Sequence, residues 1–94
     1  MQGLPTLAAM AAHPAQVPRL DITETDDGLV VFQPETRRVH HLNVTAALIF
    51  ELCTGANSDE QIVALVQQAF GLDEAPTAEV ATVMASLRAE QLIA

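Results

Sequence analysis

Residues 26–43 read DDGLVVFQPETRRVHHLN, and this stretch decides the fold class. Its first three residues predict a tight turn, because Asp tolerates turn geometry and Gly takes positive φ values. Four apolar residues, 29–32, then predict a strand. Pro34 predicts a second turn, since its ring presets φ, and residues 37–42 predict another short strand. The stretch therefore indicates antiparallel strands joined by short turns.

The pattern changes on either side of this stretch. Upstream, residues 20–23 alternate between apolar and polar side chains, which predicts a half-buried first strand. Downstream, the hydrophobic period changes from two to 3.6 after Asn43, a favoured helix N-cap. The inward stripe of this first helix is predicted to be Leu48, Ile49, Leu52 and Cys53, with Gly55 closing the helix.

Two further helices follow. Residues 58–61 read SDEQ, a capping box for the second helix, and Gly71 ends it. The predicted inward residues of that helix are Ile62, Val66, Ala69 and Phe70. Those of the third helix, from about Thr77 to Glu90, are Val80, Val83, Met84 and Leu87. The sequence thus predicts an α+β domain of winged helix-turn-helix-like type, with a three-stranded antiparallel sheet followed by three helices (βββααα).

A chain of 94 residues is long enough for one domain. Residues 1–16 carry no Asp, Glu, Lys or Arg and are rich in Ala and Pro, which predicts a flexible tail before a domain over residues 17–94. No basic segment precedes the apolar tail residues, and no apolar run approaches the ~20 residues needed to span a bilayer. With a single cysteine, Cys53, no internal disulfide can form, so the expected location is the cytoplasm, away from the membrane.

The charge balance argues against nucleic-acid binding. Twelve Asp and Glu residues outnumber four Arg, there is no Lys, and the net charge is −8. Such a chain repels a phosphate backbone. Arg88 is the one cation of the predicted third helix, which is too few for a recognition helix. A winged-helix regulator that contacts DNA or a protein remains the alternative interpretation.

No catalytic residue, cofactor or metal site is predicted. His40 and His41 are neighbours on a strand and therefore point to opposite faces, so they do not form a chelating pair. Cys53 fits a small buried hydrophobic position. Ser58 is better explained as an N-cap than as the attachment site of a phosphopantetheine carrier domain. No pair of carboxylates stands out as general acid and base.

The third strand is unusual for so acidic a chain. Arg37 and Arg38 are two of the four cations, and His40 and His41 follow them. A terminal strand of a meander leaves one edge of backbone N–H and C=O groups unpaired. That edge fits three roles: addition of a guest peptide strand, ordinary edge protection by charge, or a homodimer in which two third strands pair.

The chain resembles the PqqD-like family of peptide-recognition domains. The residues that carry the resemblance are Gly28-Leu29-Val30-Val31-Phe32, Pro34-Glu35, His41-Leu42-Asn43-Val44-Thr45-Ala46 and Leu52-Cys53-Thr54-Gly55, continuing through Ser58, Ile62-Val63, Phe70, Glu79-Val80, Leu87 and Leu92-Ile93. Gln91 stands where the family often has Gly, which argues against a left-handed cap there.

The resemblance implies a non-catalytic chaperone, also called a RiPP recognition element. Such domains bind the leader of a ribosomally made precursor peptide by strand addition and present it to a modifying enzyme, often a radical SAM protein. The pathway would be pyrroloquinoline quinone synthesis or another peptide modification. The peptide-binding residues implied for this chain are Arg37, Arg38, Val39, His40, His41, Leu42, Val83, Met84, Leu87 and Arg88.

Overall fold

The computed structural model describes residues 13–94, which form three strands followed by three helices. The elements are β1 (Asp21–Thr25), β2 (Gly28–Gln33), β3 (Arg38–Asn43), α1 (Val44–Leu52), α2 (Asp59–Phe70) and α3 (Thr77–Ala89). The predicted α+β fold with the order βββααα is confirmed. Of the tail predicted over residues 1–16, residues 1–12 lie outside the described residues. None of the helices in the described part of the chain is long and apolar enough to cross a bilayer.

The sheet is an antiparallel meander in the order β1-β2-β3. Val31 in the central strand pairs with Ile22 on one side and His40 on the other, so these three side chains share a face. On β2 the alternation of side chains buries Leu29, Val31 and Gln33 on that face. α1 is the helix that packs against β2 and β3, and α2 and α3 pack on α1.

The core lies between the sheet and the helices. Its buried apolar residues are Leu29, Val31, Ala47, Ile49, Phe50, Cys53, Ile62, Val66, Val80, Met84, Leu87, Leu92 and Ile93. Phe50 is the largest fully buried side chain and lies on α1, the helix that contacts both strands and both other helices. α1 therefore organises the small aliphatic core.

Two predictions of burial are wrong. Ala69 and Phe70 were expected to face inward, but both are exposed, Phe70 to 40%. α2 packs on α1 and α3 through Ile62 and Val66, and its last turn extends beyond them. β1, expected to be half-buried, is exposed along its length, including Ile22. The reason is that, among residues 13–94, no helix packs against β1.

Local capping follows the sequence closely. Asn43 Oδ1 accepts a hydrogen bond from Ala46 N at 2.9 Å and starts α1. Ser58 and Gln61 exchange hydrogen bonds as the predicted capping box of α2. Gly71 ends α2 in the left-handed region with φ of 63°. These caps are confirmed because each depends on residues within one helical turn.

The end of α3 contradicts the expectation at Gln91, which does adopt a left-handed conformation, with φ of 62°. Leu92 N donates to Leu87 O and Gln91 N donates to Arg88 O, both at 2.9 Å. The same pair of hydrogen bonds surrounds Gly71 at the end of α2. At α3 the buried Leu92 and Leu87 side chains stabilise the turn, so a residue other than Gly is tolerated.

Gln91→Gly should therefore stabilise the protein by about 0.5–1 kcal/mol, because Gly avoids the steric cost of left-handed backbone. The matched control is Gln68→Gly, at an exposed position inside α2, which should lose about 1 kcal/mol. Urea unfolding of both variants measures the free energies. Equal destabilisation by both would show that Gln91 is not strained.

A short segment at the start of the described chain joins the fold. Pro14 is buried, Ala15 forms a β-bridge with Thr54, and Gln16 forms one with Ile93. The Gln16 side chain also donates from Nε2 to Phe50 O at 2.9 Å. Ordered contacts thus begin upstream of Val17, the predicted domain start, because these backbone groups pair with the end of α1 and the last residues of the chain.

Candidate functional site

An open groove of about 440 Å³ separates β3 from α3. In the described part of the chain β3 is hydrogen-bonded to β2 alone, so its other edge is free. The groove is lined by Val39, His40, His41, Leu42, Ala46, Thr82, Val83, Ser86, Leu87, Glu90 and Leu92. An unpaired strand edge beside a helix face that presents Val83 and Leu87 between polar residues is a suitable surface for an extended peptide.

The structure brings six of the ten predicted binding residues together in this groove: Val39, His40, His41, Leu42, Val83 and Leu87. Arg37 lies in the turn before β3, with φ of 60°, and Arg38 is exposed at the first position of β3. Met84 is buried in the core, and Arg88 is exposed on α3 outside the groove lining. Both arginines of the predicted basic segment therefore lie at one end of the groove.

Five lining residues were missed in the sequence: Ala46, Thr82, Ser86, Glu90 and Leu92. Thr82, Ser86 and Glu90 recur every fourth residue, so they form one stripe along α3. Helical spacing would have found this stripe once Val83 and Leu87 were assigned to the groove. Ala46 and Leu92 carry no such signal, because their positions depend on how the helices pack.

The two histidines lie on opposite faces of β3. His41 is exposed on the outer face of the sheet, whereas the His40 side chain is 12% exposed and faces the helices. His40 Nδ1 lies 3.6 Å from Glu90 Oε1, and Arg38 Nη1 lies 3.4 Å from the same oxygen. Glu90, the C-cap residue of α3, thus meets Arg38 and His40 of β3 across one end of the groove.

A hydrogen-bond network centred on Gln33 lies beneath this end; we call it the Gln33 network. Gln33 is 7% exposed and is the one buried polar side chain among residues 13–94. Its Nε2 donates to the carbonyl oxygens of Glu90 and Gln91, at 3.2 and 3.1 Å. Its Oε1 accepts from Thr36 Oγ1 at 3.1 Å and is 2.9 Å from His40 Nε2. The network therefore links β2, the following turn, β3 and the end of α3.

The network also shows which ring nitrogen of His40 faces Gln33. Because Gln33 Nε2 donates to two carbonyl groups, Gln33 Oε1 must be the acceptor for His40. His40 Nε2 consequently carries a proton and donates it to Gln33, which leaves Nδ1 directed toward Glu90. The Gln33 network therefore fixes the ring orientation of His40, which forms part of one wall of the groove.

Gln33→Met keeps the length of the side chain but leaves two carbonyl groups and one imidazole N–H without their partner. We expect a loss of about 2 kcal/mol in unfolding free energy, because buried polar groups without partners are costly. The control is Gln67→Met, since Gln67 Nε2 donates to the carbonyl groups of Leu72 and Asp73 at an exposed site. Urea unfolding should show a loss of less than about 0.5 kcal/mol for that control. Equal losses would contradict a special role for Gln33.

Cys53 is the C-cap residue of α1 and does not line the groove. Its side chain is buried, and its thiol donates to Ile49 O at 3.2 Å. Burial raises the pKa of the Cys53 thiol to about 11. The thiol is therefore protonated at neutral pH and packs as a small apolar group. Within residues 13–94 no group of three or more His, Cys, Asp or Glu side chains is placed to hold a metal ion.

Comparison with known proteins adds two findings. The family model described as coenzyme PQQ synthesis protein D (PqqD) matches residues 28–93, which include both walls of the groove. A solved structure described as "Lasso peptide synthetase B1 complexed with the leader peptide" is similar, with a TM-score of 0.73 and 21% sequence identity. The match covers 88% of this chain and 99% of that chain. At this identity the likeness shows a shared fold. No curated protein matches the chain in sequence.

Proposed function

This chain belongs to the PqqD family, and from that membership we propose that its β3–α3 groove binds the leader of a ribosomally made precursor peptide. The observation that carries the proposal is the free edge of β3 beside the apolar residues Val83 and Leu87. The structurally similar lasso peptide synthetase B1, solved with a leader peptide, supports it.

The leader pairs with the free edge of β3 through main-chain hydrogen bonds. Strand addition of this kind leaves specificity to alternate side chains of the guest. Guest side chains on the helix side meet Leu42, Val83 and Leu87, while those on the other side meet Val39 and His41. Met84 contributes from the core by supporting α3 beneath the groove. The preferred leader thus alternates apolar residues toward α3.

The charges at one end of β3 influence the register and the association rate of the leader. Arg37 and Arg38 lie at the end of β3 where the Gln33 network closes the groove. An acidic residue of the leader placed near these arginines gains a favourable contact on an otherwise acidic protein. Such rim charges influence the association rate and the register more than the affinity.

The role of the domain is to hold the peptide, while the chemistry belongs to a partner. The domain delivers the bound leader to a modifying enzyme, for which a radical SAM protein is the first candidate, and it supplies no catalytic group of its own. Cys53, the single cysteine, is buried and protonated, which supports this division of labour.

The test is an NMR titration of the ¹⁵N-labelled full chain with the synthetic leader of a short precursor peptide encoded beside it. Shifts should concentrate on residues 38–43 and 82–90. Every second amide of β3 should also gain protection from hydrogen exchange, because alternate N–H groups face the free edge. Binding without this alternate protection would contradict strand addition. A concentration-dependent dimer that protects the same amides without peptide would instead support self-pairing of β3.

Arg38→Glu should slow association of the leader about tenfold at low salt, with the difference shrinking as ionic strength rises. Arg19→Glu makes the same change in net charge outside the groove lining, so its effect should be smaller. Stopped-flow association rates across a salt series measure both variants. Equal effects of the two substitutions would mean that only net charge matters.

A further inference from the structure

A second groove, of about 410 Å³, lies between α1 and the ends of β1 and β2, away from the free edge of β3; we call it the acidic groove. One wall is the end of β1, with Glu24 and Thr25. The opposite wall is formed by Val44, Leu48 and Glu51 of α1 and by Phe70 at the end of α2. It shares no lining residue with the β3–α3 groove.

The sequence of α1 explains the apolar part of the lining of the acidic groove. Val44, Leu48 and Glu51 are spaced by four and three residues and so form one stripe. Glu51 is the single charged residue of α1, although helices at a protein surface normally have a polar face. Val44 is 51% exposed here, and Phe70 projects from the turn that was expected to be buried. α1 therefore has exposed apolar side chains in addition to those that it buries in the core.

Among residues 13–94, the charged side chains that line the groove are acidic. Glu24 and Glu51 line it, and Asp26 and Asp27 form the adjoining turn. The arginines lie at positions 19, 37, 38 and 88, and none of them is among the described residues that line the groove. A second copy of the chain placed symmetrically on this surface would bring carboxylates against carboxylates, which is unfavourable. A partner that complements the groove carries Lys or Arg beside apolar side chains.

We propose that the acidic groove binds a basic segment with apolar side chains on the modifying enzyme that receives the peptide. Naming the enzyme as the partner rests on the proposed function of the β3–α3 groove. Since the two grooves have separate linings, peptide and enzyme bind at the same time. The domain then acts as an adaptor with two independent surfaces.

The probe is a short synthetic helix-forming peptide of Leu and Lys, titrated into the ¹⁵N-labelled full chain. Shifts should concentrate on residues 24–29, 44–51 and 70, and a peptide with Glu in place of Lys should not bind. Shifts confined to the β3–α3 groove, or shifts spread over all acidic surfaces, would overturn the proposal. Nuclear Overhauser contacts of the groove with another part of this chain, or with a second copy, in the peptide-free protein would also overturn it.

Matched variants separate the apolar and the charged contributions. Phe70→Ser and Glu51→Lys should each weaken binding of the Leu-Lys peptide on the order of tenfold, as expected for central interface contacts. Leu65→Ser, at another exposed position of α2, and Glu74→Lys, in the loop before α3, should change it by less than about twofold. Controls as damaging as the groove variants would overturn the proposal.

The same variants distinguish this proposal from the proposed function. Phe70→Ser and Glu51→Lys should leave binding of the synthetic leader at residues 38–43 unchanged. If the leader fails to bind wild-type protein while the Leu-Lys peptide binds the acidic groove, the proposed function fails and the groove stands. If the leader binds and the Leu-Lys peptide does not, the proposed function stands and the acidic-groove proposal fails.

Discussion

Val83→Asp should weaken leader binding by at least about a hundredfold, because a bound peptide would bury the new carboxylate without a partner. Val83 lines the groove and is half-buried against the core, so the substitution alone should cost about 1–2 kcal/mol of unfolding free energy and leave the protein folded. Isothermal titration with the synthetic leader measures the affinity, and a thermal melt verifies that the variant is folded.

The control for this variant is Ala85→Asp, which adds the same charge to the same helix at an exposed position outside the groove lining. Its affinity for the leader should stay within about twofold of wild type, as expected for a substitution away from the contact. If both aspartates weaken binding equally, the effect is one of net charge and the peptide does not contact α3.

Gly28→Ala should destabilise the fold by more than about 3 kcal/mol, through backbone strain and steric overlap together. A Cβ atom at Gly28 would overlap the carbonyl oxygen of Leu42 on the neighbouring strand, and φ at Gly28 is 152°. Because Gly28 opens β2 and pairs with Asn43, the clash would separate β2 from β3 where α1 begins. Urea unfolding measures the loss.

Gly71→Ala isolates the contribution of the clash. Gly71 also has positive φ, but a Cβ there would meet no atom within 4 Å. This control should lose only about 1 kcal/mol, the cost of left-handed backbone for Ala. Similar losses for Gly28→Ala and Gly71→Ala would show that the β2–β3 pair moves apart easily.

What the sequence predicted well are features set by neighbouring residues. The turn at Gly28, the N-cap at Asn43, the capping box at Ser58 and the left-handed end of α2 at Gly71 each depend on a few adjacent positions. The same holds for the strand order, because short turns leave a meander as the simplest arrangement.

What the sequence missed depends on contacts between distant residues. Phe70 continues the apolar stripe of α2, yet no other element of residues 13–94 covers the last turn of that helix. Gln91 takes a conformation that favours Gly because Leu92 is buried. Gln33 stands between the predicted strand 29–32 and the turn predicted at Pro34, while in the fold its side chain joins β2 to the end of α3. These features depend on long-range contacts, for which the hydrophobic periodicity of the sequence carries no signal.

The segment around Ala15 and Gln16 has a consequence for how this protein is made. Val17 N donates to Leu92 O, and Ala94 N donates to Ala15 O, so early and late parts of the chain pair directly. The buried Leu92 and Ile93 complete the core. During synthesis the strands and first helices leave the ribosome without these partners, and the native fold closes only after Ile93 has emerged. Until then the nascent chain exposes an incomplete apolar core to chaperones and proteases.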